Sequence, residues 1–254
     1  MQVSLITCTN NSEKTIKDCC LSILSQTYEN IEHIILDNQS NDETLDIAKK
    51  YKIKNQKIIQ QKGVGLYSAI NEGIKSANGD IIGILHSDDE FSDGNIISNI
   101  VKKFSEHKIN ALFSNLFYIS KSKKNKILRK WKSNLKNGIQ SNVLMFKKIH
   151  EGWMPPHTTL YIKKELINEI GLYNEKFNIS SDYDFIIRLM KNEKLNLFYM
   201  NEFTIKMKIG GMSNKNISNI ILKMKEDFII MKNHNLPPFK TILIKNFSKI
   251  LQFF

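Results

Sequence analysis

The sequence predicts an α/β protein with a mainly parallel sheet that is covered by helices on both faces. Three observations indicate this class. Over the first 120 residues, short apolar runs of strand length alternate with segments whose apolar residues recur at helical spacing. These helical segments have about 10–15 residues, a length typical of the crossovers between parallel strands. The chain of 254 residues, 41% hydrophobic and 24% charged, is long enough to bury a sizeable core.

Five strands and four helices are expected in this alternating half. The strands are residues 3–9, 31–36, 57–60, 81–85 and 111–119. The helices are residues 12–28, 41–51, 66–77 and 95–107. The apolar face of the first helix consists of Ile16, Cys19, Cys20, Ile23 and Leu24. Asn11 or Ser12 precedes that face and is suited to cap the helix.

The alternating pattern ends after residue 119. Residues 121–136 hold eight basic side chains and are expected to form a loop or an exposed hairpin. Pro155 and Pro156 make residues 153–157 a rigid turn, because proline fixes its own φ and restricts the residue before it. Further helices are expected at 165–170, 182–192 and 214–233, strand-like segments at 195–200 and 203–208, and a last amphipathic helix at 239–254.

Charge is unevenly distributed along the chain, whose formal net charge is +12. Residues 1–100 carry nine basic and 14 acidic side chains, whereas residues 101–254 carry 28 basic and 11 acidic ones. A basic half favours an anionic phospholipid surface or a lipid-diphosphate substrate.

Cysteine usage and the N-terminus bear on location. The three cysteines are odd in number, and Cys19 and Cys20 fall on an apolar helix face, so we expect buried, reduced thiols in the cytoplasm. The N-terminus lacks the basic and apolar regions of a signal peptide. No apolar run approaches the roughly 20 residues that a membrane span needs.

The segment GDIIGILHSDDE, residues 79–90, holds the most informative motif. Its apolar run fits a buried strand and is followed by two carboxylates, Asp88 and Asp89. Acids at the end of a core strand lie where open α/β sheets bind ligands. Adjacent like charges repel unless they are compensated, and a divalent cation with oxygen ligands does so. An acidic turn is the simpler interpretation of this motif alone, but the other motifs favour a metal–diphosphate site.

Asp37 occupies the equivalent place after the second strand and begins the segment DNQSNDET. An acid at this point can accept hydrogen bonds from a nucleotide base or ribose. The alternative is that the segment only caps the next helix through Asn41 or Asp42, which holds in either case.

Taken in order, the motifs resemble the family 2 glycosyltransferases with the GT-A fold. The first are strand–TNN–helix, DNQSNDET, GVGLYSAINEGI and NGDIIGILHSDDE. The later ones, RKW, GWMPPHTTLYIKKEL, GLYNEKF, SSDYDFIIRL and KIGGMSN, look like the branch that makes bacterial cell-surface polysaccharides such as O-antigen or capsule. Each motif alone is weak, and their shared order and spacing carry the resemblance.

The resemblance implies a Rossmann-like GT-A catalytic domain over residues 1–212. Its nucleotide-sugar-binding half would span residues 1–119 and its acceptor-side half residues 120–212. A C-terminal helical extension would follow at residues 213–254.

The resemblance also implies roles for single residues. Asp37 matches the acid that contacts the nucleotide base, and Asp88 the acid near the donor ribose or diphosphate. Asp89 matches the ligand of Mn²⁺ or Mg²⁺ in a variant of the D-x-D motif. Asp182 matches the catalytic base, and Arg188 the arginine that supports the diphosphate or that base. Further donor-side contacts are implied for Thr9, Asn11, Ser40, Asn71 and Gly211, the last within a G-G-x-S motif.

Two departures from the family pattern affect the donor side. Gly63 stands where the family usually has an acid, with Lys62 beside it, and the chain has SAINEG at residues 68–73 where the family often has D-A-x-N-K-G. The resemblance therefore supports a nucleotide sugar as the class of donor more firmly than it supports any particular sugar.

The chemistry of the proposed reaction bears on the choice between Asp182 and Asp184 as the catalytic base. Inverting glycosyl transfer needs a carboxylate to take the proton of the acceptor hydroxyl, and a metal to compensate the departing diphosphate. On a helix, Asp182 and Asp184 project about 200° apart, so only one faces the cleft. We favour Asp182 there and expect capping or salt-bridging from Asp184. His157 could approach the acceptor or the metal or be a structural histidine, and Trp153 could stack on a sugar or pack under the turn.

We therefore expect an inverting, metal-dependent hexosyl- or N-acetylhexosaminyltransferase. Its donor is expected to be a UDP-sugar and its acceptor a glycan or a lipid-linked glycan. A sugar nucleotidyltransferase is the enzyme alternative, but the N-terminus has no Gly-rich phosphate loop. A non-catalytic nucleic-acid-binding or scaffold protein is the other alternative. It leaves the acids without a purpose, and we expect no nucleic-acid partner.

The last predicted helix suggests where the protein works. Its apolar stripe consists of Phe239, Ile242, Leu243, Phe247, Ile250, Leu251 and Phe254. Lysines fall on the opposite side, a pattern typical of a helix lying on an anionic bilayer. This predicts peripheral contact with the inner face of the cytoplasmic membrane. The alternative is that the stripe packs on the catalytic domain or on a second subunit of a homodimer.

Overall fold

The computed structural model describes residues 1–120, 126–210 and 217–238, which form one sheet flanked by helices. The strands are β1 (Val3–Thr9), β2 (Ile31–Asp37), β3 (Gln56–Gln60), β4 (Ile81–Ile84), β5 (Asp89–Phe91), β6 (Ala111–Ile119), β7 (Ile127–Trp131), β8 (Gly138–Gln140), β9 (Tyr161–Lys163) and β10 (Leu197–Lys208). The helices are α1 (Ile16–Leu24), α2 (Thr44–Lys50), α3 (Leu66–Ser76), α4 (Ile96–Glu106), α5 (Asn142–His150), α6 (Lys164–Ile170), α7 (Ser181–Lys191) and α8 (Ile217–Asn233). A 3₁₀ turn spans His157–Thr159.

The sheet confirms the predicted class. Its strand order is β3-β2-β1-β4-β9-β6-β10-β5, with β7 added beside β6 and β8 beside β10. Strands β1, β2, β3, β4, β6 and β10 run in one direction, and the short strands β5, β7, β8 and β9 run against them. The parallel strands end at one edge, so loops distant in sequence meet there.

Helices cover both faces of this sheet, as its buried strands require. On one face, α1 and α4 bury apolar side chains against the strands. On the other, α3, α5, α6, α7 and α8 share a single apolar cluster. Gly73 of α3 lets that helix approach β1 closely, because a Cβ there would lie 2.6 Å from the Cγ2 atom of Ile6.

The strands observed at residues 3–9 and 111–119 have the predicted bounds. Two other elements differ from the prediction. Helix α1 begins at Ile16 and not at Ser12, because the preceding residues form a turn in which the N–H groups of Thr15 and Ile16 bond the Ser12 carbonyl. The segments expected at 195–200 and 203–208 are one strand, β10, which is irregular between Tyr199 and Ile205.

Elements β5, β8, β9 and α5 were not predicted. The three strands have three residues each, too few to show an alternating pattern. Asp89 is consequently the first residue of β5 and not part of an acidic turn. The basic segment after β6 forms the hairpin partner strand β7, paired antiparallel with β6.

No helix within the described ranges is long and apolar enough to cross a membrane. The helix predicted at residues 239–254 lies outside the described residues.

Candidate active site

Four residues expected to bind the donor lie together where β1 and β2 end. The Asp37 carboxylate accepts hydrogen bonds from the backbone N–H of Ser40 at 3.0 Å and from its hydroxyl at 2.6 Å. The Ser40 hydroxyl accepts from the backbone N–H of Asn11 at 2.9 Å. The Thr9 carbonyl accepts from the N–H of Asn38 at 2.9 Å. These contacts form a polar rim at the edge of the sheet where α/β folds bind ligands.

The loop before α3 explains the glycine found in place of an acid. A Cβ on Gly63 would lie 2.0 Å from the Ser68 hydroxyl, so any larger residue there requires Ser68 to move. The Glu72 carboxylate lies against this backbone and accepts from the N–H of Gly63 at 2.7 Å and of Lys62 at 3.1 Å. Helix α3 therefore brings a carboxylate to the position where residue 63 has no side chain.

Asp89 is a buried carboxylate that accepts no hydrogen bond from a side chain among the described residues. Its side chain begins β5, is 2% exposed, and neither oxygen has a partner of good geometry among the described residues. Burial and then the negative charge of Asp88 raise the pKa of Asp89 well above its usual value. The positive charge of Lys208 and a weak interaction with its backbone N–H act in the opposite direction. An isolated buried carboxylate is costly and is expected to gain a proton or a cation.

A histidine lies within electrostatic range of both Asp88 and the predicted base, Asp182. Desolvation lowers the pKa of His86, while the negative charges of Asp88 and Asp182 act to raise it. His86 therefore lies within electrostatic range of both acids. The ring of His157 is 6.4 Å from that of His86 and also feels the charge of Asp182. The fold thus brings Asp182 and Asp88, 94 residues apart in the sequence, to the same cluster.

Asp182 lies in the first turn of α7. Its Oδ1 atom accepts a hydrogen bond from the backbone N–H of Tyr183 at 2.8 Å. It also lies 3.3 Å from the hydroxyl of Tyr67, whose single proton has a nearer acceptor in the Ile179 carbonyl at 2.7 Å. The carboxylate is partly exposed, whereas Tyr67 is buried. Asp182 is therefore oriented by neighbours and accessible to a substrate.

Asp184 forms the salt bridge expected of it, and one of its two partners is Arg188. The Arg188 Nε atom lies 2.9 Å from Oδ2 of Asp184, and His234 Nε2 lies 2.8 Å from Oδ1. The other guanidinium nitrogens donate to the carbonyls of Ile170, Gly171 and Leu172. Arg188 therefore uses four of its five N–H groups on Asp184 and the turn after α6, and its role toward the diphosphate or the base stays a prediction.

Asn71, another residue expected on the donor side, also has its partners within the protein. Its Oδ1 atom accepts from the N–H of Tyr173 at 2.9 Å, and its Nδ2 atom donates to the Tyr173 carbonyl at 2.9 Å and to Glu175 at 2.8 Å. The side chain is 2% exposed and its polar atoms are satisfied by the protein. Asn71 therefore holds the GLYNE turn from one side while Arg188 holds it from the other.

This turn supports aromatic side chains around the base. The hydroxyl of Tyr173 lies 2.7 Å from Nε2 of His157, and its ring stacks on that of Tyr67 at 5.7 Å. Burial lowers the pKa of His157 to about 4, so the ring is neutral near pH 7. Trp153 packs edge-on against Phe113, at 5.7 Å between ring centroids, which agrees with the packing alternative.

Tyr67, His86 and Tyr173 were not singled out from the sequence. All three belong to motifs that were recognised, GVGLYSAINEGI, NGDIIGILHSDDE and GLYNEKF, so motif membership was the available signal. Gly211 and the rest of its G-G-x-S motif after Gly210 lie outside the described residues.

No group of three or more His, Cys, Asp or Glu side chains within the described ranges is arranged to hold a metal. Asp89 and Asp88 are nevertheless hard oxygen donors, and the unsatisfied Asp89 carboxylate fits a divalent cation. A magnesium-like ion commonly binds through one or two carboxylates, with phosphates and waters completing its shell.

Solved structures of the same fold define the class. S. aureus TarS (residues 1–349), in complex with UDP-GlcNAc, has a TM-score of 0.70 at 20% identity, over 96% of this chain and 70% of that one. The mannosyltransferase PcManGT of Pyrobaculum calidifontis, in complex with GDP-Man and Mn²⁺, has a TM-score of 0.63 at 16% identity, over 96% of this chain and 68% of that one. The fold is the GT-A fold that the motifs predict.

Sequence comparison then gives the family. The family model described as glycosyl transferase family 2 matches residues 4–171. An uncharacterized glycosyltransferase of Methanocaldococcus jannaschii is 27% identical over 242 residues, 91% of this chain and 79% of the relative. A PGL/p-HBAD biosynthesis glycosyltransferase of Mycobacterium tuberculosis is 27% identical over 224 residues, 87% of this chain and 82% of the relative. The chain belongs to glycosyl transferase family 2 and is a glycosyltransferase.

Proposed function

We propose that this chain is an inverting, divalent-metal-dependent transferase that moves a hexosyl or N-acetylhexosaminyl group from a UDP-sugar. The acceptor is a glycan or lipid-linked glycan of a cell-surface polysaccharide. The observation that carries the proposal is the buried, unpartnered carboxylate of Asp89 beside Asp88. Asp88, next to it in the chain, acts with Asp182 on the same histidine, His86, and the carboxyl edge of the sheet also carries Asp37.

The donor nucleoside binds at the polar rim formed by Asp37 and its neighbours. Asp37 accepts hydrogen bonds from the base, and Thr9, Asn11 and Ser40 line the same rim. Ligands of the structural neighbours support a nucleotide-sugar donor, since TarS was solved with UDP-GlcNAc and PcManGT with GDP-Man and Mn²⁺. The base is assigned as uracil from the resemblance of the motifs, and the sugar remains to be identified by experiment.

Asp89, with Asp88 beside it, would hold Mn²⁺ or Mg²⁺. When bound, the cation supplies charge compensation for the nucleoside diphosphate as it leaves. Because burial raises the pKa of Asp89, binding of a cation by its ionised form is expected to weaken as the pH falls.

Asp182 acts as the catalytic base. It accepts the proton of the acceptor hydroxyl while that oxygen forms a bond to the anomeric carbon and the bond from that carbon to the diphosphate breaks. The hydroxyl of Tyr67 contacts this carboxylate at 3.3 Å and binds the turn before it through the Ile179 carbonyl. The lowered pKa values of His86 and His157 keep both rings neutral near pH 7, so neither neutralises the base.

Access to a lipid-linked acceptor would be aided by the basic second half of the chain and by the amphipathic segment 239–254. That segment is proposed to lie on the anionic inner face of the cytoplasmic membrane. The alternative is that the segment packs on a second subunit in a homodimer. Sedimentation with liposomes distinguishes this from membrane binding.

The proposal is tested by product analysis on a panel of nucleotide sugars. The purified chain is incubated with each donor and Mn²⁺, with and without EDTA, and products are identified by mass spectrometry. We expect nucleoside diphosphate and free or transferred sugar from one UDP-sugar, and no product with EDTA. Release of sugar 1-phosphate would instead indicate nucleotidyl chemistry, and absence of turnover with every donor would contradict the proposal.

A further inference from the structure

Glu226 of α8 holds the turn that leads into α7. Its carboxylate accepts hydrogen bonds from three consecutive backbone N–H groups, those of Asn178 at 2.8 Å, Ile179 at 2.9 Å and Ser180 at 2.8 Å. The side chain is only 5% exposed. Hydrogen bonds to a charged acceptor are shorter and stronger than neutral ones, so this contact fixes the turn firmly.

The same turn is held from the opposite side by α3. The Tyr67 hydroxyl donates to the Ile179 carbonyl at 2.7 Å and contacts Asp182 at 3.3 Å. Both backbone polar groups of Ile179 are therefore bound by side chains distant in sequence. Asp182 follows three residues later, so the position of this turn decides where its carboxylate projects.

Helix α8 makes further contacts with the first turn of α7. The Lys223 ammonium lies 3.4 Å from the Ser180 hydroxyl, and His234 binds Asp184 at 2.8 Å. Ile230 and Met231 are fully buried in the same apolar cluster as α7. These contacts fix helix α8 against α7, so Glu226 is held in a defined place relative to the turn before α7.

We propose that Glu226 is a positioning residue for the catalytic carboxylate. It acts through the backbone of residues 178–180 to fix the start of α7 and thereby the place of Asp182. The inference rests on the proposed function and deepens it. A displacement of about 1 Å at a reacting group can cost about 10²-fold in rate.

The kinetic test compares Glu226→Gln with Asp227→Asn. Glutamine keeps the size but loses the charge, and it has one oxygen acceptor where three N–H groups need partners. Asp227 is an equally buried acid on the same helix that pairs with Lys223 at 3.0 Å. For Glu226→Gln we expect kcat to fall roughly 10–10²-fold with donor KM within about threefold. Asp227→Asn should keep kcat within about threefold, and equal loss in both variants would overturn the proposal.

A double-mutant cycle separates positioning from general stability. If Glu226 acts through Asp182, adding Glu226→Gln to Asp182→Asn should lower kcat by less than about threefold, because effects of residues that act as a unit are not additive. If Glu226→Gln lowers kcat in the Asp182→Asn protein as much as it does in the wild type, the proposal is overturned. Should Glu226→Gln fail to fold, Glu226→Asp, which keeps the charge but is one methylene shorter, gives the same comparison.

Amide hydrogen exchange gives a readout that does not depend on turnover. Faster exchange at residues 178–184 in Glu226→Gln, but not in Asp227→Asn, supports the role, and unchanged exchange overturns it. A wild-type protein without transferase activity would defeat the proposed function alone, so the two failures are distinguishable.

Discussion

Asp182 and Asp184 lie two residues apart on α7 and have different surroundings. Asp182 contacts Tyr67 and, like Asp88, lies within electrostatic range of His86. Asp184 is paired with Arg188 and His234, and these hydrogen bonds lower the pKa of Asp184 despite its burial. Helical geometry alone predicted this separation.

Replacing Asp182 with Asn should remove the base and keep the size of the side chain. We expect kcat to fall roughly 10²–10⁴-fold, with the dissociation constant of the donor nearly unchanged in calorimetry. Asp184→Asn is the matched control on the same helix. Breaking its buried ion pair should cost about 3 kcal/mol of stability, seen as a lower Tm. Weaker donor binding with normal kcat in Asp182→Asn would place Asp182 in the donor pocket.

Acid sensitivity should depend on His157. Its pKa is about 4 in the folded protein against 6.5 when unfolded, so the unfolded chain binds the extra proton first. Burying the neutral ring of His157 therefore costs no free energy of unfolding above pH 6.5. Between pH 6.5 and 4 the unfolded chain binds a proton that the folded protein does not, and the free energy of unfolding falls. We expect His157→Gln to show a shallower loss of Tm between pH 6.5 and 4 than wild type. Buried His33, whose pKa is also about 4, should leave a residual slope. Equal slopes in both proteins would contradict the assigned burial of His157.

At the scale of elements, the sequence predicted the long strands and helices well because their apolar patterns have a clear period. It missed β5, β8 and β9, whose three residues cannot show one. It also missed α5, where exposed apolar residues such as Val143, 82% exposed, obscure the amphipathic pattern.

The candidate site was predictable where it depends on strand ends and not where it depends on long-range contacts. Asp37, Asp88 and Asp89 could be placed because residues after parallel strands meet at one edge. The partners of Asn71 and Arg188 could not be foreseen. Both bind the turn around Gly171, whose φ of +82° and position follow only from the assembled fold.

Helix α8 should be necessary for the fold although it was predicted to belong to an extension. Ile230, Met231 and Leu236 are buried in the main core, and burying each such side chain contributes about 1.5–3 kcal/mol. Their loss approaches the whole stability of a typical domain, about 5–15 kcal/mol. We expect a chain ending at residue 212 to show no cooperative thermal unfolding. A chain ending at residue 238 should unfold cooperatively. A folded fragment 1–212 would instead support the predicted domain boundary.

At the scale of the whole molecule, charge separates the two halves of the chain, with 28 basic and 11 acidic residues after position 100. This asymmetry, with the amphipathic segment 239–254, predicts binding to an anionic bilayer, where each lysine near the surface contributes about 1 kcal/mol.

Sedimentation with anionic liposomes tests this arrangement. We expect the full-length protein to sediment at low salt, and the chain ending at residue 238 to remain in the supernatant. Neutral liposomes serve as the control, because charge attraction is lost there. A full-length protein that stays in solution with anionic liposomes would leave packing, on the catalytic domain or on a second subunit, as the role of this segment.

The most direct test of the account is the rate of nucleoside diphosphate release as a function of Mn²⁺ concentration in wild type and Asp89→Asn. The account predicts saturable activation by Mn²⁺ in the wild type and none in the variant. The variant should remain folded without metal, because asparagine keeps the size of the side chain and carries no buried charge. Superimposable Mn²⁺ curves for the two proteins would contradict the assignment of Asp89 and, with it, the central claim.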